Sequence, residues 1–114
     1  MFTYTVKEVV KVVDGDTVDI IIDLGFSISL RQRVRIKGIN SPETRTKNVE
    51  EKIKGMSAKV FAEQWFAQSG PLTVKTYKDE KYGRLLGEFF RGTENYTETI
   101  ISKGFAVSYD GGAR

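Results

Sequence analysis

Three short stretches carry residue types able to act on a phosphate. "VVDGDTV" (12–18) sets two carboxylates, Asp14 and Asp16, around one glycine in a tight turn between strands. "RIKGINSPE" (35–43) ends a basic strand and supplies Arg35, Asn40, Ser41 and Glu43. "DEKYGR" (79–84) supplies Lys81, Tyr82 and Arg84 at the mouth of a further strand. The middle stretch poses the sharpest question, because Glu43 is a lone acid placed directly after a row of cations. It reads either as a salt bridge to Arg35 or Arg45, or as a general base beside an anion site. Asp16 likewise has a plain reading as a turn former, and Arg84 as an exposed cation after a glycine.

Composition narrows the chemistry. The chain has no histidine and no cysteine, which excludes imidazole bases, disulfides and thiolate metal sites. Any catalysis must use carboxylates, Lys, Arg, Tyr, hydroxyls or a bound ion. Any metal would be oxygen-ligated, which favours Ca²⁺, Mg²⁺ or Mn²⁺. The net charge is only +3, but residues 31–54 hold eight Lys/Arg against three Glu. That stretch is +5 and the remainder −2, and a basic patch on an otherwise near-neutral domain points to a polyanionic partner, nucleic acid being the commonest.

These residues must be positioned by a small fold. At 114 residues, 39% hydrophobic and 29% charged, the chain suits a single domain over 1–114 with a modest core. No apolar run approaches the ~20 residues of a membrane span, so no membrane partner is expected. The first residues lack a leader's apolar block, and as written the expected location is cytoplasmic, or secreted for a trimmed mature form. "TVKEVVKVV" and "TVDIIIDL" flank the Asp-Gly turn as a hairpin, and "SISLRQRVRIKG" makes a third strand. There Leu30, Val34 and Ile36 alternate with Arg31, Arg33, Arg35 and Lys37, which places the apolar set on one face and four cations on the other. Gln32 interrupts the apolar set. A solvated sheet face explains this pattern as well as an anion site does.

In "EKIKGMSAKVFAEQWFAQSG", Ala58, Phe61, Ala62 and Trp65 recur at helical spacing, with Gly70 and Pro71 as the stop. Strands follow at 72–78 and 84–90. A short helix lies in "NYTETIISKG", with Asn95 and Glu98 spaced as a capping pair and Gly104 as its stop. Trp65 and the phenylalanines are assigned mainly to the core. The order β-β-β-α-β-β-α is mainly β with an α+β character. Five strands this short bury both faces best as a five-stranded OB-type β-barrel, with one longer helix and a short C-terminal helix.

With these residues in place, the chain resembles the staphylococcal nuclease (thermonuclease) family. "DGDTV" is similar to that family's Asp-Gly-Asp-Thr turn, "RIKGINSPE" to its Arg…Asp-Thr-Pro-Glu segment, and "KYGR" stands intact. The three occur in family order, and the resemblance covers about residues 6 to 109. It implies a nuclease, a hydrolase acting on phosphodiester bonds of DNA and RNA with one Ca²⁺ ion. Asp16 and Asn40 would offer side-chain oxygens and Ser41 its carbonyl. Arg35 and Arg84 would stabilise the transition state, and Glu43 would activate water. Lys81 and Tyr82 would contact a terminal phosphate, Tyr109 would lie against a base, and Asp14 would hold the turn. Cleavage would leave 3′-phosphate ends, single strands would be preferred, and the protein would act as a monomer.

Two departures bear on that expectation. Asn40 stands where the family has a second metal-binding Asp, which should weaken Ca²⁺ binding. Ser41 stands in place of Thr. The alternative is therefore a weak or inactive barrel of the same kind that binds nucleic acid or a protein partner. Retention of Asp16, Arg35, Glu43 and Arg84 together favours the enzyme.

Overall fold

A computed structural model describes residues 2–78 and 85–109 of the chain. The strands are β1 (Phe2–Asp14), β2 (Thr17–Gly25), β3 (Ile28–Ile36), β4 (Ile39–Asn40), β5 (Leu72–Lys78), β6 (Leu85–Arg91), β7 (Glu94–Asn95) and β8 (Val107–Ser108). The helices are α1 (Val49–Phe66), between β4 and β5, and α2 (Tyr96–Ser102), between β7 and β8.

The main sheet runs β3-β2-β1-β5-β6-β7, and a parallel pairing of β3 with β6 closes it. Five long strands thus form a closed barrel, as the strand order and chain length led one to expect. Closure depends on β1, which pairs with β5 through Phe2–Thr5 and with β2 from Thr5 to Asp14. Three register shifts along the second half bend it, the ordinary device for turning a barrel corner. The β3–β6 seam requires Gly87, where a Cβ would lie 2.7 Å from Val34 Cγ1 and 2.8 Å from Val74 Cγ2.

Val18, Ile20, Val34, Ile36, Ile39, Val74 and Phe89 fill the interior. Ala58, Ala62 and Trp65 of α1 close one end, and Phe61 packs against the core from a half-buried position. Rings of Trp65, Phe66, Tyr96 and Phe89 meet at centroid separations of 5.0 Å. α2 begins as the sequence led one to expect, whereas α1 starts at Val49, two residues before the expected stretch, because Asn48 caps it. Asn48 accepts from the Glu51 N–H, and Asn95 accepts from those of Thr97 and Glu98. Gly104, at φ +81°, follows the end of α2.

The two-sided reading of β3 holds only for part of the strand. Val34 and Ile36 are buried, but Leu30 is exposed, because the β2–β3 hairpin runs past the end of the barrel. The assignment of the phenylalanines to the core holds for Phe66 and Phe89 and fails for Phe2 and Phe26. Phe26 sits at the hairpin tip, where no second layer reaches. Among the described residues no helix is long and apolar enough to cross a membrane.

Candidate functional site

The site is built where the β1–β2 turn, the end of β3 and the loop after β4 meet under α1. Asp14 pairs with Thr17 across the turn, leaving Gly15 and Asp16 at its apex. Gly15 is buried so tightly that a Cβ there would lie 3.0 Å from both Ala58 Cβ and Ser41 Cβ. The turn is thus pressed against α1 and the 40–43 loop at once. Tyr96, wholly buried on α2, donates its hydroxyl to the Gly15 carbonyl at 2.6 Å. Burial first, and then the charge of Asp16, push that hydroxyl's pKa above the ordinary tyrosine range.

Asp16 is nearly buried and lies at the centre of the cluster. Its Oδ2 accepts the Ser41 N–H at 3.0 Å, and its Oδ1 accepts the Thr17 hydroxyl at 3.1 Å. Arg35 lies 3.7 Å from Oδ2, and its guanidinium also donates to the carbonyls of Ile36 at 3.0 Å and Asp16 at 3.4 Å. Held by backbone oxygens, the guanidinium is pre-oriented and not merely tethered at its stem. Ser41 is buried, and its hydroxyl has no hydrogen-bond partner among the described residues.

Glu43 is exposed and shares a groove of about 800 Å³ with Asn40, Ser41, Glu50, Lys54 and Ala106. Its backbone is fixed by α1. At Gly55 a Cβ would lie 2.4 Å from the Glu43 carbonyl oxygen and 2.9 Å from that of Pro42, so only glycine lets the helix come this close. Asp14 accepts the Thr44 hydroxyl at 2.7 Å, a direct tie between the first turn and the residue after Glu43. Asn40 pairs with Val107 across β4 and β8, and the Tyr109 N–H donates to Gly38 at 2.9 Å. Tyr109 is thereby held at Gly38, just ahead of β4.

The structure thus joins Asp16 to Arg35 and to the Ser41 amide and Asp14 to Thr44, sets Asn40, Ser41 and Glu43 along one groove, and places Tyr109 by its backbone bond to Gly38. Lys81, Tyr82 and Arg84 lie outside the described residues. Of the cationic row, Arg33 leans elsewhere. It forms a two-pronged pair with Asp19 at 2.8 and 3.1 Å, which lowers the Asp19 pKa and raises that of Arg33. Sequence reasoning missed Tyr96, Gly15 and Thr44 as supports. Gly55, a lone glycine inside a helical pattern, did carry a signal for close backbone approach. Nothing local marks Tyr96, since its partner is 81 residues away.

The donors available to a metal are the Asp16 carboxylate, the Asn40 amide oxygen and backbone carbonyls. All are hard oxygens, and the two hydrogen bonds on Asp16 leave carboxylate lone pairs unused. Among the described residues no group of three acids gathers. The residues fit a hard cation in kind, with little charge to hold it.

A closed five-stranded barrel with a helix at one end and an Arg–Asp pair at the first turn defines a class. The chain matches the staphylococcal nuclease homologue family over residues 33–113 and belongs to it. Thermonuclease of Staphylococcus hyicus is 30% identical over 100 residues, spanning 87% of this chain and 56% of that protein. Protein ParB of Escherichia coli is 27% identical over 111 residues, spanning 90% and 56% respectively. The chain thus spans little more than half the length of these relatives.

Proposed function

We propose that this barrel is a nuclease that hydrolyses phosphodiester bonds of DNA and RNA with one Ca²⁺ ion, leaving 3′-phosphate ends. The observation that carries this reading is the Arg35 guanidinium, held by two backbone carbonyls 3.7 Å from Asp16, in a chain of this family. Transition-state charge collects on the phosphoryl oxygens, and a pre-oriented guanidinium suits it. Arg84 would supply the second fork. Glu43 borders the groove and, with no histidine in the chain, is the base this reading assigns to the attacking water. It takes the water proton as the new P–O bond forms and the bond to the 5′ oxygen breaks. Lys81 and Tyr82 would hold a terminal phosphate, and Tyr109 would lie against a base.

Asp16 and Asn40, with the Ser41 carbonyl, would hold the ion. When bound, it would act as a Lewis acid toward the phosphoryl oxygens. Asp14 positions Thr44 and, through it, the segment bearing Glu43.

The test is hydrolysis of single-stranded DNA and RNA with Ca²⁺, with Mg²⁺ and with a chelator, using Arg35→Ala as control. Ca²⁺-dependent cleavage lost in the variant supports the reading, and end-group analysis checks the 3′-phosphate. A second reading rests on Asn40, which removes one anionic metal ligand. On that reading the barrel binds nucleic acid without cutting it, and tight binding with no cleavage under any metal is its signature.

A further inference from the structure

The β2–β3 hairpin carries surface that the site does not use. Its tip turns through Gly25, Phe26 and Ser27, all at positive φ (83°, 53° and 63°). That region is unfavourable for a bulky side chain, yet it holds Phe26 99% exposed. Leu24, Ile28 and Leu30 beside it are also exposed. β3 meets β6 at Arg35 and Ile36, and among the described residues no strand lies beside the outer edge of Ile28–Val34. Along that edge strand the chain carries Arg31, Arg33, Arg35 and Lys37 and no acid.

Charge decides the occupant. A second copy pairing antiparallel along β3 would set Arg31 and Arg33 opposite like cations, an unfavourable arrangement. A polyanion meets no such penalty. Arg33 is tied to Asp19 but keeps its side chain 64% exposed, and Arg31 is exposed. The row leads straight to Arg35 in the candidate site. From Phe26 to Arg35 is about 30 Å at ~3.3 Å per strand residue. That matches about nine nucleotides stacked at ~3.4 Å each, within the range an OB-type barrel covers.

We infer that the β2–β3 hairpin is a nucleic-acid-binding arm, in which Arg31 and Arg33 follow the phosphates of a single strand leaving the site and Phe26 stacks on a base at its far end. The inference rests on the proposed site as the origin of the track. The arm selects longer strands over short ones and does so without reading sequence, since every base offers a π-face.

The experiment is fluorescence anisotropy of a labelled single-stranded dodecanucleotide and a trinucleotide, in chelator, with parent protein, Phe26→Ala, Phe26→Leu, Phe26→Trp and Arg31→Ala. Phe26 is solvent-exposed, so its variants fold, and a thermal melt verifies this. Phe26→Ala is expected to weaken the dodecanucleotide about tenfold and leave the trinucleotide unchanged. Trp is expected to restore binding, and Leu is not. Arg31→Ala is expected to reduce the salt slope by about 0.7. Equal dodecanucleotide affinity for parent and Phe26→Ala overturns the arm, as does full rescue by Leu. Binding to anionic vesicles, or a dimer in light scattering, that is lost on Phe26→Ala while oligonucleotide binding persists also overturns it, in favour of a lipid or a second copy. Hydrolysis is scored separately on the parent. A parent that cuts nothing, but binds through Phe26, sinks the nuclease reading and keeps the arm.

Discussion

At the residue scale, Tyr96 is the least conspicuous support of the site. Its hydroxyl satisfies the buried Gly15 carbonyl, and Gly15 precedes Asp16. Tyr96→Phe leaves that acceptor unpaired and is expected to cost about 1–3 kcal/mol in urea unfolding. Because the folded state raises the Tyr96 pKa, its contribution is full below the unfolded value of ~10 and falls as pH rises above it. The Phe variant is therefore expected to show a flatter alkaline limb than the parent, and equal limbs would refute the coupling. Asp19 behaves oppositely. The Arg33 hydrogen bond, opposed by burial, leaves its pKa lowered, so its contribution is present above the ordinary Asp value and is lost as pH falls through the lowered one. Glu43→Gln tests the assigned base. Turnover is expected to drop about 10²–10⁴-fold, with oligonucleotide affinity retained, and unchanged turnover would remove Glu43 from the chemistry.

At the scale of elements, the site depends on how closely α1 lies on the 42–43 backbone. Gly55→Ala is favourable by helix propensity, by ~1 kcal/mol, but its Cβ would fall 2.4 Å from a carbonyl oxygen. The contact is with backbone, which cannot rotate away. A net loss of about 1–3 kcal/mol is expected, with the 43–44 segment displaced. Activity should fall by more than the stability loss explains, and melting curves beside initial rates check this. A Gly55→Ala protein as stable and active as the parent would mean the loop yields freely.

At the scale of the whole molecule, one charge bears on whether the barrel is an enzyme or a binder. Asp16 is the one acid assigned to the ion, beside a neutral Asn40. Asn40→Asp adds an anionic oxygen and is expected to tighten Ca²⁺ binding by calorimetry. A titration without gain would place residue 40 outside the ion's reach. The Asn48 cap and the short strands β4, β7 and β8 were not read, whereas the order of the five long strands, both helices, the Asn95 cap and the barrel were legible, resting on signals such as alternation in β3, the Ala58–Ala62–Trp65 stripe and Asn95 before α2. The three motifs were legible as a family resemblance for the same reason, since each is contiguous. The length of the β2–β3 hairpin was not. Leu30 and Phe26 look like core residues until the barrel end is known, and hydrophobicity alone carries no information about where a second layer stops. Nor could sequence reveal which groups hold Asp16. The Ser41 amide, the Tyr96 link to Gly15 and the close approaches at Gly15 and Gly55 join segments far apart in the chain. Such contacts are set by barrel closure and helix packing, not by neighbours in sequence. The chain by itself determined the family and the elements that carry its motifs. Tertiary structure alone decided which side chains meet, because meeting depends on where a closed sheet places its ends.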